Sequence, residues 1–212
     1  MGIIKETVSR DIQEQKGGGI VEKSEYDQAL EKYNLNITDE EVKAAVKKII
    51  AEKVSANDNL EVKKFLLGSV ELTTLSTTDT EEKVLAMIEK VNRFDSEYPD
   101  LPHVAAVCAY PCFTKLMADS LEVDGVEITN VTGNFPSSQT FLEVKTIETA
   151  LAIKDGATNI DIVMPVGKFL SGDYEGVCDT IGELKQTCGD VPMKVILETG
   201  DLRNARDIKT AS

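Results

Sequence analysis

Asn159-Ile160-Asp161-Ile162-Val163-Met164-Pro165 reads as a strand that is apolar on both faces, with one carboxylate in its middle. Strands covered on both faces belong to parallel sheets flanked by helices. An ionised Asp in such a run is costly to desolvate unless it is paired, hydrogen-bonded or used. Asp161 is therefore either a structural ion-pair partner or a catalytic acid/base.

Outward from this strand the same rhythm repeats. Strand-like runs at Val70–Leu75, Val104–Tyr110, Glu127–Val131, Asn159–Met164 and Met193–Thr199 start about 30 residues apart, the size of one βα unit. Amphipathic helices fall between them. Asp79 and Glu82 have the spacing to box the start of one, with Val84, Met87, Ile88 and Val91 as its buried face. Val144, Ile147 and Leu151 form the stripe of a second, ended by Gly156 at its C′ position. Tyr174, Val177, Cys178, Ile181, Leu184 and Cys188 mark a third, which makes Cys178 and Cys188 small core residues.

Alternating βα units imply parallel strands and right-handed crossovers. An open doubly wound sheet and a (β/α)8 barrel both satisfy that pattern. Eight units need at least about 200 residues, and residues 70 to 212 hold five. Asp201 is expected to open a helix through Leu202, Ala205 and Ile208. The sequence stops at Ser212 without a terminating Gly or a following strand, and reads as cut off partway through an alternating pattern.

Residues 1 to 60 read as a separate helical extension and residues 61 to 212 as the βα portion. Gln15-Lys16-Gly17-Gly18-Gly19 is a flexible polar break. No strand precedes it and no Gly-Lys-Ser/Thr follows, so it is not a phosphate loop. Thr38 and Glu41 have capping-box spacing. Val42, Ala45, Val46, Ile49 and Ile50 then form a stripe expected to pack on the main domain. Ser55 to Asn59 end that helix, and a short one follows at residues 60 to 67.

The 212 residues have 42% hydrophobic and 28% charged side chains and a formal charge of −14. This composition is that of a globular protein. The charge argues against nucleic acid or an anionic membrane as partner, since both require basic patches. A small phosphorylated substrate needs only one local anion site and stays open. No apolar run approaches the roughly 20 residues that span a bilayer. The N-terminus lacks a signal-peptide core, and Glu6 stands where a myristoylation signal after Gly2 needs Ser or Thr. A cytoplasmic location is expected. Cys108, Cys112, Cys178 and Cys188 read as free thiols. One Cys-x3-Cys pair and the single His103 are poor ligands for zinc.

Strand alternation places Asp161 on one face with Asn159 and Val163, opposite Ile160, Ile162 and Met164. In the next strand Met193, Val195 and Leu197 form the apolar set, leaving Lys194, Ile196 and Glu198 to face inward with Asp161. An Asp161–Lys194 pair would lower the Asp pKa and keep the lysine charged, whether structural or catalytic. Glu71, sharing a face with Thr73 and Leu75, is a second inward carboxylate. Cys108 reads first as a small buried hydrophobe, at a strand end where barrel chemistry occurs. No nucleophile elbow, Walker loop or dinucleotide fingerprint is present, and one His makes a Ser-His-Asp triad a poor reading. Carboxylates and lysines must carry any chemistry.

Glu71-Leu72-Thr73-Thr74-Leu75, Ala105-Ala106-Val107-Cys108-Ala109-Tyr110-Pro111, Gly133-Asn134-Phe135-Pro136, Gly156 to Val163 and Leu197-Glu198-Thr199-Gly200-Asp201-Leu202 occur in one order and spacing. Over residues 66 to 212 this pattern resembles deoxyribose-phosphate aldolase. The resemblance implies a (β/α)8 barrel with about five units present. It also implies a lyase of deoxyribonucleotide catabolism that uses a lysine Schiff base, with no metal and no cofactor. Its substrate would be a small phosphorylated sugar, 2-deoxy-D-ribose 5-phosphate, cleaved reversibly to acetaldehyde and D-glyceraldehyde 3-phosphate. Asp161 matches the proton donor/acceptor, and Cys108, Lys194, Glu71 and Thr73 match its active-site neighbours, with Glu71 where many members have Asp. The family's Schiff-base lysine lies in a Phe-Ile-Lys-Thr-Ser-Thr-Gly segment on a sixth strand, which this sequence does not contain, so the chain alone is expected to be inactive. A homo-oligomer is compatible with the sequence. The competing readings are a non-catalytic open-sheet binding or regulatory module, and another lysine-dependent barrel aldolase.

Overall fold

The computed structural model describes residues 25–212. The expected glycine break at residues 15–19 and the Gly2 and Glu6 positions lie outside them. The described residues fall into two units, one ending at Tyr33 and the other running from Asn34 to Ser212. In the first, Glu25–Leu30 forms helix α1.

The second unit opens with α2 (Asp39–Ile49). Its capping box is present as the spacing predicts: Thr38 accepts from the Glu41 N–H, and the Glu41 carboxylate accepts from the Thr38 N–H at 2.8 Å. The helix runs on through a π turn (Ile50–Val54) and Ser55–Asn57, and α3 (Leu60–Leu67) follows, capped by Asn59. The expected packing of the α2 stripe is not found. Val46, Ile49 and Ile50 are 47%, 59% and 55% exposed. The helix is tied down at its N-terminal end instead, where Asp39 accepts from the Ala205 N–H.

Five parallel strands then alternate with helices: β1 (Glu71–Thr73), α4 (Glu81–Glu97), β2 (Ala106–Ala109), α5 (Thr114–Ser120), β3 (Glu127–Thr132), α6 (Leu142–Lys154), β4 (Asn159–Val163), α7 (Val166–Leu170), α8 (Tyr174–Cys188) and β5 (Met193–Ile196). A short turn of helix, α9 (Thr199–Leu202), and α10 (Ala205–Ala211) end the chain. The strands pair in sequence order, as successive right-handed βα units require. All five expected strands exist, most of them shorter than the apolar runs suggest.

Ile160 and Ile162 on β4 pack with Ala152, Leu184 and Cys188 from α6 and α8. Val107 and Ala109 on β2 meet Val84, Ile88 and Val91 of α4 and Met117 of α5. This outward face is the main core. Gly156 ends α6 with φ +115, and a Cβ there would stand 2.7 Å from that of Ala118, so both conformation and space require glycine.

Four further expectations about helices need correction. Thr80, not Asp79, caps α4, because the Asp79 carboxylate is engaged by the Thr74 hydroxyl and the Ser76 N–H. On α6 the expected stripe of Val144, Ile147 and Leu151 is exposed, and Lys145, Thr149 and Ala152 are buried instead. Hydrogen bonds set that rotation: Thr149 pairs with Thr132 of β3 at 2.8 Å, and Lys145 donates to Ser138 at 2.7 Å. On α8 Cys188 is core but Cys178 is exposed, and Thr180 takes the buried position. The expected helix from Asp201 is broken at Arg203, which has a φ of 68.

The sheet is strongly curled. Strands lie about 4.8 Å apart, so β1 and β5 would be about 19 Å apart in a flat sheet, beyond the combined reach of a Lys and a Glu. Lys194 of β5 nevertheless bonds Glu71 of β1 at 2.7 Å. The five strands therefore form an arc of a barrel wall with these side chains on its concave face.

Candidate active site

Register fixes which residues share the concave face. Thr73 lies opposite Cys108 and Cys108 opposite Thr129, while Val131 lies opposite Asp161 and Asp161 opposite Lys194. Paired residues in parallel strands point the same way. The inner face thus gathers Glu71, Thr73, Cys108, Thr129, Asp161 and Lys194, while apolar side chains face the helices.

Lys194 joins the two carboxylates. Its Nζ is 2.7 Å from Glu71 Oε2 and 3.0 Å from Asp161 Oδ2. The Asp161 side chain is 12% exposed and that of Glu71 25%, whereas Lys194 is 55% exposed. Two carboxylates and one ammonium leave one uncompensated negative charge. Burial therefore raises the Asp161 pKa, the lysine offsets part of that rise, and Glu71 adds to it. Lys194 pulls the Asp161 pKa down as expected, but the net shift is upward, because desolvation of this deeply placed carboxyl outweighs a half-exposed cation.

For Lys194 burial works against the charge, but its bonds to Glu71 and Asp161 prevail, and its pKa is raised. It stands as an ammonium at neutral pH and carries no free lone pair. Asp161 Oδ1 and Glu71 Oε1 are buried without a hydrogen-bond partner among the described residues. Buried acceptors of that kind are free to receive a proton donor.

Cys108 sits against this group. Burial pushes its thiol pKa up to about 12, with the Glu71 and Asp161 charges adding, while a hydrogen bond with Thr73 and the charge of Lys194 pull the other way. At neutral pH Cys108 is an un-ionised part of the wall, which is the packing role its sequence suggests. Glu198, expected on the inner face of β5, lies past the strand end in a left-handed conformation, φ 55.

Asn130 was not among the sequence candidates. It is fully buried, donates to the Ala109 carbonyl at 3.0 Å and accepts from the Thr114 hydroxyl at 2.7 Å. It thereby fixes the end of β2 beside Cys108. Its signal was an amide in the middle of the expected strand Glu127–Val131, between Ile128 and Val131.

Fold and inner face together define an α/β-barrel protein with a carboxylate–lysine–carboxylate centre. The family model described as DeoC/LacD family aldolase matches residues 66–211. A Caenorhabditis elegans protein provisionally assigned as a deoxyribose-phosphate aldolase is 33% identical over 176 residues, which cover 82% of this chain and 57% of that protein. The deoxyribose phosphate aldolase of Aeropyrum pernix, described as a tetramer, is similar with a TM-score of 0.54 and 27% identity, over 73% of this chain and 62% of that one. A provisionally assigned aldolase from Coccidioides immitis matches at a TM-score of 0.62 over 84% of this chain and 68% of that one; at 22% identity it speaks to fold alone. The chain belongs to the DeoC/LacD aldolase family. It spans just over half the length of the curated relative it matches.

Proposed function

We propose that this chain supplies the proton-handling part of a class I deoxyribose-phosphate aldolase centre. The reaction is the reversible cleavage of 2-deoxy-D-ribose 5-phosphate to acetaldehyde and D-glyceraldehyde 3-phosphate, without a metal. The observation that carries this reading is the Asp161–Lys194–Glu71 group on the concave face. A carboxyl whose pKa is raised by burial holds a proton more readily than an ordinary carboxylate, and its one free oxygen can exchange that proton with a bound substrate.

In the cleavage direction the substrate is an iminium formed with a lysine amine. Asp161 takes the hydroxyl proton of the sugar as the adjacent carbon–carbon bond breaks, and the bonding electrons pass into the iminium to give an enamine. The proton then returns to the enamine carbon. Lys194 stays charged and holds Asp161 and Glu71 in place.

Lys194 is not the nucleophile. It is the one lysine on the described strands, and its raised pKa opposes the free amine that attack requires. A homo-oligomer fits the same reading, since Val144, Ile147 and Leu151 of α6 are about half exposed.

The test is borohydride trapping with 2-deoxyribose 5-phosphate and mapping of any adduct by mass spectrometry. The chain alone is expected to give none. When a polypeptide carrying the family's sixth to eighth strands is added, acetaldehyde release should appear, and Asp161→Asn should lower it by about 10²- to 10⁴-fold. An adduct on Lys194, or full activity in the complemented Asp161→Asn variant, would overturn the proposal.

A further inference from the structure

A second lysine is buried away from this centre. Lys145, in the first turns of α6, is 3% exposed, and its Nζ donates to the hydroxyl of Ser138, itself buried. The neighbouring charge that acts on it is another cation, Lys168, and together with burial this lowers its pKa. An ammonium at such depth is costly without a counter-charge, and none is present among the described residues.

Lys145 lines a groove of about 600 Å³ between the segments that follow β3 and β4, with Ser138, Gly167, Lys168 and Thr180 among its walls. Helix α6 opens onto it without a side-chain cap, so no side chain occupies its first-turn N–H groups. Lys168 contributes positive charge from the other wall. It is only partly compensated, by Asp173 at 3.9 Å and the Gly176 carbonyl at 3.3 Å.

We propose that this groove is an oxyanion site, which holds the phosphate or carboxylate group of a small molecule against Lys145 and the N-terminus of α6. The anion supplies the charge that Lys145 lacks. Lys168 closes the opposite side, and the groove is large enough for a molecule bigger than the headgroup. The site is separate from Glu71, Asp161 and Lys194, and it stands whether or not the aldolase reading does.

Calorimetric titration of the chain with inorganic phosphate, and separately with acetate, tests this. Saturable binding of either anion is expected, and the better one identifies the headgroup. Lys145→Met should weaken it about tenfold to a hundredfold, Lys168→Met should weaken it less, and Lys194→Met should leave it unchanged. Should Lys145→Met fail to fold by circular dichroism, Ser138→Ala and Lys168→Met carry the test. The proposal falls if neither anion binds saturably, if Lys145→Met binds as the parent does, if both substitute variants do, or if the loss follows Lys194→Met.

Discussion

Asp161 binds its proton more firmly in the folded chain than in the unfolded one, where its pKa is near the ordinary 3.8. Its contribution to stability is therefore fully present below that value and is lost as pH rises through the higher folded one. Asp161→Asn has no proton to titrate there. The melting temperature of the parent, relative to Asp161→Asn, should thus fall as pH is raised through the acid range and level off above the folded pKa. Differential scanning calorimetry of both proteins between acid and neutral pH reads this directly. A relative melting temperature that rises with pH would show a carboxylate stabilised by Lys194, contrary to the burial that dominates here. At this scale much was legible in sequence: alternation alone put Asp161 beside Lys194. Sequence could not show that desolvation exceeds the attraction of the pair, because that depends on depth.

Among the elements, the strands were readable because apolar runs and their spacing report a sheet covered by helices. Helix rotation was less so. On α6 two polar contacts, Thr149 with Thr132 and Lys145 with Ser138, outrank the apolar stripe one residue out of phase. An apolar count cannot see them, since each needs a partner from another segment. The corrected faces predict a contrast. Leu184 of α8 is fully buried between helices and sheet, so Leu184→Ala should cost about 2–5 kcal/mol. Ile147 of α6, named by the sequence pattern, is 61% exposed, and Ile147→Ala should change stability by less than about 0.5 kcal/mol. Urea unfolding of the two variants decides between the faces, and equal losses would restore the sequence-based stripe.

For the whole molecule, the deciding contact joins the first strand to the fifth. Glu71 and Lys194 are 123 positions apart in sequence and lie on strands at opposite ends of the pairing order. Neighbouring-strand reasoning could find Asp161–Lys194 but not this pair, which exists only because the sheet curls. The contact is hence a reporter of barrel curvature. A double-mutant cycle with Glu71→Gln and Lys194→Met measures it free of the separate costs of each change. Lys194 is more than half exposed, so solvent screens the pair, and a coupling of about 0.5–1 kcal/mol is expected. That coupling should shrink at high salt, as for any partly exposed ion pair. A coupling indistinguishable from zero at low salt would mean that the two strands do not approach in solution. The concave face would then lose Glu71, and the carboxylate–lysine–carboxylate centre would reduce to the neighbouring pair that the sequence alone had already placed together.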